Sequence, residues 1–140
     1  MTDFTVELRI CGEQLEPHSV TERLGIVPTM VRLRGESRGT EMFTDAVWAF
    51  DGRMDDTEMP TYQSLETGLC ALMDRIESVK PQIIEYAAEY EVMFWCGHFI
   101  SGWNSCYRIS PVVLGRMCDF GAELYVDSYS DGDEDASARP

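Results

Sequence analysis

Hydrophobic and polar residues alternate from Phe4 to Cys11, with Phe4, Val6, Leu8 and Ile10 on one parity and Thr5, Glu7, Arg9 and Cys11 on the other. A period of two sends successive side chains to opposite faces, so the segment predicts a half-buried β-strand. The run from Leu15 to Thr29 then carries a helix's start and stop signals. Pro17 suits the first helical position, where a missing N–H costs nothing, and Gly25 suits the left-handed residue past the end. The helix predicted over Pro17 to Leu24 carries Val20 and Leu24 on one stripe. Met30 to Arg34 predicts a second strand, with Val31 and Leu33 inward and Arg32 and Arg34 outward. Gly35 to Thr40 is a glycine-punctuated loop, and Ala46 to Phe50 a third, more hydrophobic strand closed by an Asp51-Gly52 turn.

From Thr61 the spacing changes to three and four: Tyr62, Leu65, Leu69, Leu72, Met73, Ile76 and Val79 form the stripe of a long amphipathic helix. Pro81 opens a further helical segment with Ile84, Ala87 and Ala88 on its apolar side, so the helix is bent or broken near Lys80. Val92 to Ile100 is apolar on both parities, as in a central strand. Ser101 to Asn104 supplies turn residues toward a partner strand from Ser105 to Ile109. A helix after Pro111 with Val113, Leu114 and Met117 follows, then Gly121, then the alternating strand Leu124, Val126, Ser128. Leu15 to Gly25 and Ile109 to Gly121 share one order: strand end, polar residue, proline, short helix, glycine. The whole predicts an α+β two-layer sandwich, a mixed, mostly antiparallel sheet with helices packed on it, ferredoxin-like, with two related strand-helix-strand units flanking a long helix.

Composition bounds this picture. The 140 residues suit one domain over 1–130, and 131–140, four acids with no large apolar residue, predicts a disordered acidic tail. The formal net charge is −14 and stays at −11 without the tail. Such a field opposes nucleic acid and anionic membranes and favours a basic protein partner. No apolar run is long enough to span a bilayer and the start lacks a signal peptide's charge, so the expected location is cytoplasmic. Five cysteines, an odd number without framework spacing, fit reduced thiols. The expected state is a monomer or a homodimer, the edge at Met30 to Arg34 being discouraged from self-pairing by its arginines.

Candidate chemistry is thin. There is no nucleophile elbow, phosphate loop or dinucleotide glycine pattern, and Cys96, His98, Cys106 and Cys118 lack the Cys-x2-Cys knuckle of a zinc site. No catalytic, cofactor-binding or metal-ligating residue is therefore assigned, and the chain is expected not to be an enzyme. Asp51, Asp55, Asp56 and Glu58 crowd one loop in an order that does not match an EF-hand. With Glu41 and Asp45 they offer an acidic surface to a basic protein. Trp103, in a turn, is the first contact residue expected. Two alternatives stay open: a small-ligand sensor using Arg23, Arg32, Arg34 and Arg38 with Tyr90, Trp95, Phe99, Trp103 and Tyr107, and a metal-dependent domain if Cys96, His98 and Cys106 converge.

Leu15-x-Pro17, Val20-Thr21 and Leu24-Gly25-Ile26-x-Pro28-Thr29, with Trp48 after the loop, resemble the bacterial family catalogued as domain of unknown function 4279. The similarity covers roughly Thr2 to Tyr129 and is most specific between Thr21 and Thr29. It implies an intracellular bacterial domain without established enzymatic activity, and so no catalytic residues to carry over. Within the block, Thr21 sits mid-helix and can bond back to the helix or to a neighbour, and Pro28 keeps Val27 extended. The functional expectation is a non-catalytic acidic domain that masks a basic partner, as an immunity or inhibitor protein masks a toxin.

Overall fold

Strict alternation in the first segment produces the central strand of the sheet, β1 (Asp3–Gly12), in a computed structural model that describes residues 3–55 and 57–130. The chain continues through α1 (Pro17–Leu24), β2 (Met30–Arg32), β3 (Ser37–Arg38), β4 (Glu41–Met42) and β5 (Ala46–Phe50). Then come α2 (Leu65–Ile76), a 3-10 turn (Glu77–Val79), α3 (Lys80–Glu89), β6 (Glu91–Ile100), α4 (Pro111–Asp119) and β7 (Glu123–Ser130).

The five-stranded sheet has the order β2-β5-β1-β6-β7. β1 pairs antiparallel with β5 and β6, and β2 antiparallel with β5. β1-α1-β2 and β5-α2-α3-β6 are therefore split units, each with one strand inserted between its parallel pair, which is the ferredoxin-like arrangement. β7 adds a fifth strand parallel to β6 by way of α4. One face of the sheet, with Phe4, Val6, Leu8, Ile10, Trp48 and Phe94, is sealed by helix residues including Val20, Leu69, Met73, Ile83 and Met117.

The helix ends follow the local chemistry. Gly25 takes φ +67° and its N–H bonds to the Thr21 carbonyl at 2.9 Å, closing α1. Ser64 caps α2 by accepting from the Thr67 N–H at 3.3 Å. Ser110 caps α4 and donates its hydroxyl to Glu66 Oε1 at 2.9 Å, which ties the starts of α2 and α4 together. The break near Lys80 is the 3-10 turn Glu77–Val79, with Pro81 in the first turn of α3.

Several expectations need correction. β2 ends at Arg32, and Val31 and Leu33 are 43% and 49% exposed. As an edge strand it has a neighbour on one side only, and Met30 instead packs on the other face with Cys11, Val47 and Met93. The glycine loop supplies β3 and the turn of the β3-β4 hairpin, which Gly39 opens at φ +64°. Ser105–Ile109 is not a strand: β6 is flanked by β1 and by parallel β7, which a tight hairpin cannot supply. The second strand-helix-strand unit is thus β6-α4-β7. α3 buries Ile83 and Tyr86 and exposes Ile84, and α4 leaves Leu114 half-exposed. The expected acidic tail, 131–140, lies outside the described residues. Among the described residues no helix is long and apolar enough to cross a membrane.

Candidate functional site

Because the helices seal one face, the second parity of each strand builds the other. β1 contributes Thr5, Glu7 and Arg9, β6 contributes Met93, Trp95, Gly97 and Phe99, and β7 contributes Glu123, Tyr125, Asp127 and Tyr129. Parallel register sets Trp95 beside Tyr125 and Phe99 beside Tyr129. Both pairs stack, with ring centroids 5.3 Å and 5.2 Å apart and planes within 13° of parallel. The Arg9 guanidinium lies 4.2 Å from the Trp95 ring centroid and is ion-paired with Glu7. Phe99, Tyr125 and Tyr129 remain 43–49% exposed. A Cβ at Gly97 would sit 2.5 Å from Thr5 Oγ1 and 2.8 Å from Phe99 Cε2, so only glycine lets the Phe99 ring lie across the strand. The Tyr129 hydroxyl donates to the Asp127 carboxylate, a bond that raises its pKa above the ordinary phenol value.

Two shallow concavities open on this face. One, of about 280 Å³, has Cys11, Val47 and Met93 as its floor, Arg32 and Phe43 on one side and Trp95 and Tyr125 on the other. The Arg32 guanidinium stands 4.0 Å from the Phe43 centroid. Burial pushes the Cys11 thiol up to about 11, which keeps it protonated and unreactive at neutral pH. The other concavity, of about 190 Å³, lies among Thr5, Arg9, Trp95, Phe99 and Tyr129, with Met59 from the acidic loop on its border.

The expected contact residues fare unequally. Trp103 is 81% exposed, and Asp55 and Glu58 are exposed. Asp56 lies outside the described residues. Asp51 departs from the expectation of a solvated acid. It is 2% exposed, its carboxylate accepts from Arg53 Nε at 3.0 Å, Arg53 Nη2 at 2.6 Å and the Arg53 N–H at 3.1 Å, and it closes the turn after β5. The arginines do not converge: Arg23 pairs with Glu85 beside Tyr86, Arg34 pairs with Glu13 at 3.0 Å, and Arg32 lies over Phe43.

Cys96, His98 and Cys106 do not converge either. Cys96 is fully buried and its thiol is pushed up to about 12 by burial, while Cys106 is exposed. His98 stacks on Phe4 at 4.7 Å, with Nδ1 3.1 Å from Ser128 Oγ and Nε2 3.0 Å from Ser105 Oγ. Both ring nitrogens are thus engaged, and burial lowers the imidazole pKa. Among the described residues no group of three or more His, Cys, Asp or Glu side chains is placed to hold a metal ion.

The stacked pairs escape a reading of single segments because they exist only once β7 lies beside β6. The signal available was the second parity itself, the acid-aromatic alternation Glu123, Tyr125, Asp127, Tyr129.

The residues of the Thr21 to Thr29 block serve the scaffold. Trp48 Nε1–H donates to Thr21 Oγ1 at 3.0 Å, and the Thr21 hydroxyl bonds back to the Pro17 carbonyl at 3.3 Å. Thr29 Oγ1 donates to the Ala49 carbonyl at 3.3 Å and accepts from the Asp51 N–H at 3.1 Å, fixing the end of β5. Comparison with curated proteins and with solved structures finds no match. The family model described as a domain of unknown function, DUF4279, matches residues 2–131, and the chain belongs to that family.

Proposed function

We propose that this domain is a non-catalytic, acidic binding module that engages a basic protein through the helix-free face and its acidic border, as an immunity or inhibitor protein would in a bacterial cytoplasm. The supporting observation is a sheet face on which half-exposed aromatic rings sit among carboxylates. Asp45, Asp55, Glu58, Glu91 and Glu123 form no ion pair among the described residues. Arg9 and Arg32, the cations of the face, already lie on Trp95 and Phe43. Aromatic faces suit cationic side chains, and complementary charge steers encounter. Stacking platforms for nucleic acid require a cationic groove, which a charge of −14 opposes.

The test is affinity capture from cells with the wild type and a Tyr125→Ala/Tyr129→Ala variant. A strongly basic protein should be retained by the wild type, lost by the variant, and released at about 1 M salt, where the Debye length is about 3 Å. Equal capture by both forms, or capture indifferent to salt, contradicts the reading.

The concavity between Arg32 and Tyr125 favours a second reading, a small carboxylate ligand clamped by Arg32. A thermal-shift screen of aromatic carboxylates that moves the wild type and not Arg32→Ala would support it.

A further inference from the structure

We infer that the outer edge of β7 is a strand-addition site for an extended basic segment, a mode of recognition that rests on the basic-partner reading above. β7 is eight residues long and, among the described residues, has β6 as its one neighbour in the sheet, so over Glu123 to Tyr129 the backbone N–H and C=O groups on its other side meet no strand. An edge of that length invites pairing unless it is blunted by charge, Pro or a bulge; Glu-Leu-Tyr-Val-Asp-Ser-Tyr-Ser contains neither Lys nor Pro, and its charges, Glu123 and Asp127, turn away an acidic strand and admit a basic one.

Side chains decide what pairs there. On the helix-free face the edge reads Glu123, Tyr125, Asp127, Tyr129, acid and ring in turn. An added strand would set its alternate side chains beside these four positions. Arg or Lys at those places would meet a carboxylate and a ring at once, as Arg9 does between Glu7 and Trp95. A second copy of this chain is the poorer occupant, since each copy carries a net charge of −14.

The probe is a blocked eight-residue peptide of alternating Arg and Val, with two controls, the alternating Glu and Val peptide and the Arg peptide N-methylated throughout. Binding is followed by fluorescence anisotropy, and amide hydrogen exchange over Glu123 to Ser130 by mass spectrometry. The Arg peptide should bind at least about tenfold tighter than either control and slow exchange in β7 by about tenfold. Asp127→Lys, and independently Glu123→Lys at the exposed start of the strand, should each weaken it by about tenfold with unchanged circular dichroism. If the N-methylated peptide binds as well and β7 exchange is unchanged, strand addition is overturned while the basic-partner reading survives. If the Glu peptide binds as tightly as the Arg peptide, both fail. A dimer by light scattering, with β7 protected before any peptide is added, assigns the edge to a second copy and overturns the inference.

Discussion

Replacing Thr21 by Val tests whether the most specific block of the sequence is there for the fold. Trp48 is fully buried between β2 and β1, and its indole N–H is satisfied by Thr21 Oγ1 at 3.0 Å. Val nearly matches Thr in shape and removes the acceptor. The substitution therefore leaves a buried donor unpaired with little loss of packing, which costs about 1–3 kcal/mol. Taking about 2 kcal/mol, and about 3 °C per kcal/mol for a chain of this size, the thermal midpoint should fall by about 6 °C. Thr21→Ser keeps the hydroxyl and should lose less than about 1 kcal/mol. In a Trp48→Phe background the donor is gone, so Thr21→Val should become nearly neutral. The urea-unfolding double-mutant cycle reads this coupling directly. A Thr21→Val protein within about 0.5 kcal/mol of wild type, or an equal loss in both backgrounds, would refute the argument.

Asp51→Ala should destabilise by about 2 kcal/mol in urea unfolding, below the usual loss for a broken buried pair because Arg53 is partly exposed, and should leave binding of a basic probe unchanged. Burial lowers the His98 pKa, so below about 6.5 the unfolded chain takes up a proton that the native imidazole resists. The stability this group contributes is complete above that pH and is lost as pH falls toward the native pKa. Wild type should therefore lose stability relative to His98→Asn as pH falls below about 6.5, and parallel curves would contradict the assignment. Native thiol labelling read by mass spectrometry should modify Cys106 and Cys118 first, and Cys11 and Cys96 only on unfolding, since burial holds those two protonated.

Where the pattern was local, it was readable. Pro17 and Gly25 bracket α1, the three-and-four spacing gives α2, and Pro81 marks the break before α3. What failed depended on neighbours. Whether Val31 is buried depends on what lies beyond β2, and residues 101–110, although rich in turn signals, are held by Ser105 and Tyr107 against His98 rather than by a strand partner. The candidate site shows the same division. Acid density located the loop at 51–58, but Asp51 belongs to its turn because Arg53 reaches back to it, and the aromatic face required the β6-β7 register.

The scaffold and the helix-free face are separable in energy. Thr21, Trp48 and Thr29 are tied into part-buried hydrogen bonds that join α1 and the segment before β2 to β5. Tyr125 and Tyr129 make their ring contacts with Trp95 and Phe99 on a surface about half open to water. A stacked pair adds about 0.5–1.5 kcal/mol beyond the area it buries, and half-exposure keeps that area small. Tyr129→Ser should therefore cost less than about 2 kcal/mol while removing a ring from the strand-addition edge. A loss well above that would make the outer aromatic pair part of the core rather than a surface for a partner. A small loss, with the Arg peptide weakened, would place recognition on residues that the sheet and its helix layer do not need in order to fold.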